Sequence, residues 1–194
     1  MRAMLIDRAA RMLRSREPVT LRSVVEGTGV STMAVYTYFG GMDGLWRAMR
    51  QEGFTRLAAN LARVRTTADP VRDLAALGAA YLANALRHPD LYRVMFDAGF
   101  ELDNPATADE SLYSLVAAVE RAKAAERFRA DVDAVELATQ TWVTGHGLAS
   151  LMTTGPLPPA ALAHGAPMLV ALYTRSGDDP DKCHRSVARG WKVD

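Results

Sequence analysis

The chain has 194 residues and a mass of 21.1 kDa, which allows one or two small domains with a sizeable core. Apolar residues make up 49% of it and charged residues 23%, which excludes a chain that is disordered throughout. The net charge is +1, but nine of the 23 basic and five of the 22 acidic residues lie in positions 1–56, so this segment carries +4 and the remainder −3. A basic end on a mildly acidic body suggests that one end binds an anion.

Cysteine content and hydropathy exclude several other classes of protein. The single cysteine, Cys183, can form neither an internal disulfide nor a multi-thiolate metal site. The longest apolar stretch, 74–86, is too short to span a bilayer, and the charges at Asp7, Arg8, Arg11 and Arg14 interrupt any signal-peptide core. We therefore expect a soluble, cytoplasmic protein with no membrane partner.

In chain order, the first elements are short helices separated by turn residues. Apolar residues at three- and four-residue steps predict a helix that ends before Pro18. Thr20 is a suitable N-cap for a short helix over 21–28, which Gly29 ends. Ser31 is then expected to cap a second short helix over 32–38.

The rest of the chain is also predicted to be helical. No segment alternates apolar and polar residues as a strand would, and there is no internal repeat, so the fold class is all-α. Helices are predicted over 42–64, 70–87, 89–98, 107–126, 131–154 with Asp131 as N-cap, and from Pro158 or Pro159 to 175. Residues 99–105 are predicted to form a loop, and the tail from Gly177 to be loose or partly helical.

Residues 20–46 contain the most specific pattern, two short helices joined by a glycine turn. This is the arrangement of a helix-turn-helix, which places its second helix in the DNA major groove. Val30 and Val35 would pack inward, while hydroxyl groups and Met33 stay available for phosphates and base edges. Periodicity alone equally allows a hairpin used only for packing. The candidate DNA-binding residues are Thr20, Arg22, Ser31, Thr32, Met33, Tyr36, Thr37 and Tyr38.

These residues resemble the TetR family of transcriptional regulators. The resemblance rests on Gly29-Val30-Ser31, then Val35-Tyr36-Thr37-Tyr38-Phe39, then Asp43-Gly44-Leu45. It implies an N-terminal three-helix DNA-binding domain and a C-terminal helical domain that binds a ligand and dimerises. The sequence departs from the family pattern at Thr32, Gly40-Gly41 and Met42, and Thr32 and Met42 stand where the family usually has cations. Fewer phosphate contacts imply a modest salt dependence of DNA binding.

The body carries a second, more diffuse resemblance. The run Trp142-Val143-Thr144-Gly145-His146-Gly147-Leu148 resembles the C-terminal domain type named for a Trp-His-Gly signature, and residues 88–96 also occur in regulators of that type. The resemblance implies a small-molecule ligand and a dimer interface formed by the last two helices. The apolar interface candidates are Leu148, Leu151, Met168, Leu169 and Leu172.

Trp142 and His146 are four residues apart and share one face of the predicted helix. One interpretation makes His146 the polar anchor of a ligand pocket. The other makes it a buried histidine bonded to a backbone carbonyl, with Gly145 and Gly147 allowing close helix packing at the dimer interface. The expected pocket residues are Tyr81, Tyr92, Met95, Phe96, Leu115, Val119, Trp142 and His146, although residues such as the first four more often belong to a core than to a pocket.

Enzymatic chemistry finds little support in the sequence. The four histidines have no metal-ligand spacing, and no glycine-rich phosphate loop is present, so we expect no enzyme, no metal and no cofactor. Cys183 lies near Lys182, His184 and Arg185, which could lower its pKa, although an unreactive tail cysteine is the simpler interpretation.

The sequence therefore predicts a helix-turn-helix domain over 1–48, a connecting helix over 42–64, a ligand-binding and dimerisation domain over 49–176 and a loosely structured tail over 177–194. The predicted function is a homodimeric, one-component DNA-binding regulator, a repressor released by a small apolar or amphipathic effector. Its partners would be that effector and a pseudo-palindromic double-stranded operator. The alternative is an all-α small-molecule-binding protein whose helix-turn-helix does not read DNA specifically.

Overall fold

Ten α-helices and one short 3-10 helix make up the computed structural model, which describes residues 1–96 and 101–193. No strand occurs in these two ranges, so the predicted all-α class is confirmed. The helices are α1 (Arg2–Arg14), α2 (Leu21–Val25), α3 (Met33–Phe39), α4 (Met42–Leu61), α5 (Pro70–Arg87), α6 (Pro89–Met95), α7 (Ala106–Ala124), α8 (Ala134–Thr154), α9 (Gly165–Arg175) and α10 (Pro180–Gly190), with the 3-10 helix at Pro159–His164.

Proline and capping residues set several helix bounds as predicted. Pro70 and Pro89 each occupy a first helical position, where the missing N–H costs nothing. Thr20 and Ser23 form a capping box at the start of α2. Gly155 ends α8 in the left-handed conformation, which glycine adopts without a Cβ penalty.

Other bounds differ from the prediction. The start of α8 is capped by Asp133 instead of Asp131, because the Asp133 carboxylate accepts hydrogen bonds from the backbone N–H groups of Val135 and Glu136. Asp131 instead pairs with Arg129. The residue at the N-cap of α3 is Thr32, with no side-chain hydrogen bond, so the expected Ser31 cap is wrong.

Two predicted segments change in extent. The last predicted helix is divided into the 3-10 turn and α9. The predicted loop over 99–105 and the end of the helix near 98 lie partly outside the described residues; residues 101–105 form no helix.

The C-terminal segment is the largest correction. Residues 177–194 were expected to be loose or partly helical, but Pro180–Gly190 forms α10 and buries Cys183 and Val187 completely. Asp179 caps its first turn through the N–H of Lys182. The few apolar residues of this helix are buried where it packs against α5 and α9, so α10 is part of the second helical core.

The chain divides into two units with separate interiors. The first consists of Met1–Arg56 and His88–Thr107, and its core gathers apolar residues of α1, α2, α3, the start of α4 and α6. The second consists of Leu57–Arg87 and Ala108–Asp194, in which α5 packs against α8 and α10, and α9 against α8 and α10. The functional division predicted between residues 48 and 49 stays a proposal.

Candidate nucleic-acid interface and ligand site

The α2–turn–α3 segment has the geometry of a helix-turn-helix. Two residues of the turn, Gly27 and Gly29, have φ of 70° and 76°, a left-handed conformation that favours glycine. On α3, Val35 is completely buried and Phe39 nearly so. These contacts fix α3 on the first unit's core and leave its other side to solvent.

The exposed side of α3 carries large side chains that a core would normally bury. Met33 is 63% exposed, Tyr36 49% and Tyr38 45%. Neither tyrosine hydroxyl has a hydrogen-bond partner among the described residues. Such side chains can donate to phosphate oxygens and contact thymine methyl groups. This surface, defined by Met33, Tyr36 and Tyr38, is called the recognition face below.

The remaining predicted DNA-binding residues differ in whether their side chains already form hydrogen bonds within the chain. Arg22, Ser31 and Thr32 are exposed. The Thr20 hydroxyl accepts the Ser23 N–H as a helix cap, and the Thr37 hydroxyl donates to the Met33 carbonyl oxygen at 2.9 Å. Both hydroxyls therefore keep acceptor capacity, but their orientation is fixed by the fold.

Sequence reasoning missed two arginines that support this surface. The Arg2 guanidinium lies 5.5 Å from the centroid of the Phe39 ring, which brings a cation beside α3. Arg8 donates to the Ser23 carbonyl oxygen at 3.1 and 3.3 Å and so joins α1 to α2. The only sequence signal for them was the basic excess of the first 56 residues.

The first turn of α4 lies directly on the end of α3. A Cβ at Gly44 would overlap the carbonyl oxygen of Phe39, so the two backbones approach more closely than any other residue would allow. Gly40, at the end of α3, has φ of 76° and supplies the left-handed turn that makes the approach possible. The Asp43-Gly44-Leu45 motif therefore has a steric reason in this chain.

In the second unit, Tyr81, Trp142 and His146 form a small aromatic cluster. The Tyr81 hydroxyl lies 2.8 Å from Nδ1 of His146, and the Trp142 ring centroid lies 5.6 Å from that of His146. Burial lowers the pKa of His146, so the neutral imidazole is favoured. In that state Nδ1 either accepts the hydrogen bond of the Tyr81 hydroxyl or donates one to it, depending on the tautomer of the imidazole.

The other predicted pocket residues are not all in this cluster. Tyr92 and Phe96 belong to the first unit, where Phe96 makes edge contacts with Tyr92 at 5.2 Å and with Phe54 at 5.9 Å between ring centroids. Met95, almost fully buried, lies against Gly53, where a Cβ would collide with its side chain. Leu115 and Val119 are buried positions of α7 in the second unit. The predicted set is therefore divided between two interiors.

The two glycines beside His146 differ in their surroundings. A Cβ at Gly145 would make ordinary contact with the Tyr81 ring at 3.7 Å, so a residue as small as alanine fits there. Apart from the neighbouring backbone of α8 itself, no heavy atom of the described residues lies within 4 Å of a Cβ at Gly147. The described residues therefore give no packing reason for a glycine in the middle of α8, where it costs about 1 kcal/mol relative to alanine.

The predicted interface residues are also divided. Leu148 and Leu169 are buried within the protomer and so already contribute to its own core. Leu151 on α8 is 45% exposed and Met168 on α9 is 48% exposed, while Leu172 is half-buried. Val143, at 58% exposed, was not predicted and lies eight residues before Leu151 on the same helix.

Residues considered for other chemistry do not form a reactive site. Cys183 is buried, and burial together with the nearby Asp178 charge raises the pKa of its thiol to about 12, the opposite of the lowering that its basic neighbours suggested. Within the described ranges, no three His, Cys, Asp or Glu side chains are placed to hold a metal ion. No helix of the described residues is long and apolar enough to cross a membrane.

Comparison with solved structures gives several chains of the same fold. A protein of unknown function from Rhodococcus sp. RHA1 is 28% identical, with a TM-score of 0.68, 96% of this chain and 95% of that chain covered. The TetR family protein CprB from S. coelicolor A3(2) is 21% identical, with a TM-score of 0.72 and 99% and 96% covered. RolR in complex with resorcinol is 18% identical, with a TM-score of 0.62 and 100% and 96% covered.

A family model extends this likeness to the sequence of the body. Curated protein sequences give no significant match. The model of the tetracyclin repressor-like C-terminal domain, however, matches residues 74–175, which is more than half of the chain. With the helix-turn-helix of the first unit and the fold of the neighbours, the chain belongs to the TetR family of DNA-binding transcriptional regulators, which are not enzymes.

Proposed function

We propose that this regulator is a dimeric repressor that leaves its operator when a small, uncharged effector binds the C-terminal domain. The observation that carries the proposal is the recognition face, because large exposed side chains on a rigidly held second helix serve DNA contact better than protein stability. The direct DNA contacts would be those of the recognition face with Arg22, Ser31, Thr32 and Thr37. Thr20 would orient α2 and contact a phosphate.

The charge of the surface supports phosphate-based binding of moderate strength. Thr32 and Met42 supply no cation at the ends of α3 and α4, whereas Arg2 and Arg22 do supply exposed cations on α1 and α2. Each phosphate neutralised by a cation adds about 0.9 to the slope of log affinity against log salt. A shallow slope would therefore distinguish this chain from more basic DNA-binding domains.

The proposal is tested with the DNA upstream of the chain's own gene. In a gel shift, we expect a discrete complex that survives a modest rise in salt and is not competed by unrelated duplex DNA. Binding that disappears equally for operator and unrelated DNA would favour the alternative function, an effector-binding protein whose helix-turn-helix no longer reads sequence. A gel shift with Arg2→Ala tests whether Arg2, which was not among the predicted DNA-binding residues, contributes to operator binding; we expect weaker binding.

The dimer would form through the exposed sides of α8 and α9. Val143, Gly147 and Leu151 follow one another at four-residue steps on α8, and Met168 is exposed on the neighbouring α9. A second copy packed on this surface would explain the otherwise unused glycine and cover the apolar side chains. Leu172 would lie at its edge, whereas Leu148 and Leu169 would support the surface from inside.

The effector would bind beside the Tyr81–Trp142–His146 cluster. The cluster combines aromatic rings with one neutral imidazole, which suits an apolar molecule with one hydrogen-bonding group. Resorcinol, the ligand in the RolR complex of the same fold, is a small uncharged aromatic diol and illustrates that chemistry. Leu115 and Val119 would add apolar walls to the pocket in this unit. Tyr92, Met95 and Phe96 would instead line an apolar site within the first unit.

Trp142 provides the probe for the effector site. Titration of phenolic and lactone compounds should change its emission, and Trp46→Phe with Trp191→Phe removes the other two tryptophan signals. We expect His146→Ala to abolish the response to an effector while operator binding is retained, because the two sites are distinct. Loss of the fold or of the dimer in this variant would assign His146 to packing instead.

A further inference from the structure

One surface of the second unit carries a dense group of basic side chains that the proposed function does not use. Two open grooves of about 470 Å³ and about 420 Å³ lie there and share Arg72, Arg189 and Lys192. The second groove is further lined by Arg63, Arg65 and Arg87. These six cations come from the segment after α4, from α5 and from the end of α10, and together they define the basic groove.

Among the described residues, the six cations of the basic groove have no acidic side chain as a bonded partner. All six side chains are exposed, and none forms an ion pair or a side-chain hydrogen bond in the part of the chain that the structure describes. The one acid that lines it, Asp73, is 3% exposed and already binds Arg121 at 2.7 Å and the Thr67 hydroxyl at 2.6 Å. The six cations therefore share one surface with no neutralising acid among the described residues, which favours binding of an anion.

Close packing holds the three cationic segments together. A Cβ at Gly190 would collide with the carbonyl oxygen of Arg72, so the end of α10 lies directly on the first turn of α5. The Asn60 amide donates to the Ala80 carbonyl oxygen at 2.7 Å and fixes the end of α4 on the middle of α5. The backbone at Arg72 and at the end of α10 is thus held in place by packing, which reduces the entropy lost on binding.

The size and lining of the basic groove define the ligand chemistry. The two grooves, of about 420 and 470 Å³, are open to solvent and leave room for a small anion, and arginine binds phosphate with two parallel hydrogen bonds. Ala76, Ala80 and Ala83 provide a small apolar floor on one side of α5. Phosphate groups carry the most negative charge in the fewest atoms, which matches six clustered cations better than a single carboxylate does.

We propose that the basic groove is a second ligand site, which binds a small anion with two or more phosphate groups. This site differs from the effector position in chemistry, since the Tyr81–Trp142–His146 cluster favours an uncharged ligand. It therefore adds a ligand class to the regulator and does not depend on the identity of the effector.

Calorimetric titration of the full chain with inorganic tripolyphosphate tests the proposal. At an ionic strength of about 0.15 M we expect saturable binding, weakened about tenfold or more in Arg72→Ala/Arg189→Ala because two bidentate donors are lost. Lys182→Ala is the matched control, since it removes an exposed cation of α10 that lines neither groove. Its affinity should stay within about twofold of the wild type.

Two further measurements complete the test. ATP is compared with tripolyphosphate, and a second variant covers the case in which the double variant does not fold. If ATP binds more tightly than tripolyphosphate, the nucleoside contacts the floor formed by Ala76, Ala80 and Ala83. If the two bind with equal affinity, only the phosphate chain is recognised. If the double variant does not fold, Arg72→Lys keeps the charge but not the bidentate geometry and should weaken binding by an intermediate factor. The proposal is overturned if tripolyphosphate shows no saturable binding, or if Lys182→Ala loses as much affinity for it as the double variant does. It is also overturned if poly-glutamate binds and tripolyphosphate does not displace it.

Discussion

At the scale of single residues, the recognition face makes the clearest prediction. Replacing Tyr36 with alanine removes an exposed ring and a hydroxyl that has no partner in the described part of the protomer. We expect operator affinity to fall at least tenfold, about 1.4 kcal/mol, with little change in the thermal midpoint. Fluorescence anisotropy with labelled operator measures it.

Tyr113→Ala is the matched control for this experiment. Tyr113 is 65% exposed on α7, outside the helix-turn-helix, so its loss should leave operator affinity unchanged. If Tyr36→Ala binds as tightly as the control while both remain folded, then Tyr36 does not contact DNA and the proposed orientation of α3 is wrong.

His146 makes a prediction about pH. Burial lowers its pKa in the folded state below the value of about 6.5 that it has when unfolded. Its contribution to the free energy of unfolding is therefore complete above about pH 6.5 and is lost as the pH falls through the folded pKa, because the unfolded state then binds the proton more readily.

Replacing His146 with glutamine removes this titration. We expect the thermal midpoint of the wild type to fall more between pH 7.5 and pH 5 than that of His146→Gln. Tyr113→Ala, which replaces an exposed side chain of α7 and keeps His146, is the control and should follow the wild type. Parallel curves for all three proteins would contradict the buried, neutral state of His146.

At the scale of elements, local signals predicted the helices that local interactions define. Pro70, Pro89 and Thr20 act within their own first turn, and the predicted starts of α2, α5 and α6 are confirmed. The choice between Asp131 and Asp133 as the cap of α8 depends on which backbone N–H groups the carboxylate reaches, which spacing alone does not determine.

Helix α10, in a tail predicted to be loose or partly helical, shows why the remaining structure was not predictable. Arg127 donates two hydrogen bonds to Asp178, at 2.6 and 2.7 Å, although 51 residues separate them, and it also reaches Asp69 at 2.9 Å. Ser186 on α10 donates to Asp69 at 2.6 Å. The charges of the tail are typical of a solvent-exposed segment, and only the folded structure brings these distant partners together. The same holds for the basic groove, whose cations come from three separated segments.

The buried ion pair should determine the stability of the second unit. Arg127 and Asp178 have side chains only 6% and 1% exposed, so Arg127→Ala would leave a buried carboxylate without its partner. We expect a loss of about 3–5 kcal/mol in the free energy of unfolding, measured by urea denaturation. Lys123→Ala, which breaks the exposed pair with Glu120, should cost at most about 1 kcal/mol. Similar losses in both variants would contradict the tethering role of Arg127.

At the scale of the whole molecule, repression requires that effector and operator binding oppose each other. An effector that binds the operator-incompetent arrangement more tightly must lower operator affinity by the same coupling free energy. The candidate sites lie in different units of the chain, with α4 running through the boundary between them in sequence. The sequence predicted the recognition face through its motif, whereas the pocket set, drawn from apolar residues and the diffuse Trp-His-Gly resemblance, is divided between two interiors.

The dimer makes the last prediction, since one recognition face supplies too few contacts to read an operator. Two faces must reach successive major-groove sites, roughly 34–36 Å apart, and the interface would hold them at that spacing. Leu151→Glu places a charge in the proposed apolar surface of α8 and should convert a dimer into a monomer at micromolar concentration, as measured by light scattering. Tyr113→Glu, at a 65% exposed position of α7 outside the proposed interface, should remain dimeric. A wild type that is already monomeric would remove the interface, and with it the two-site mode of operator reading.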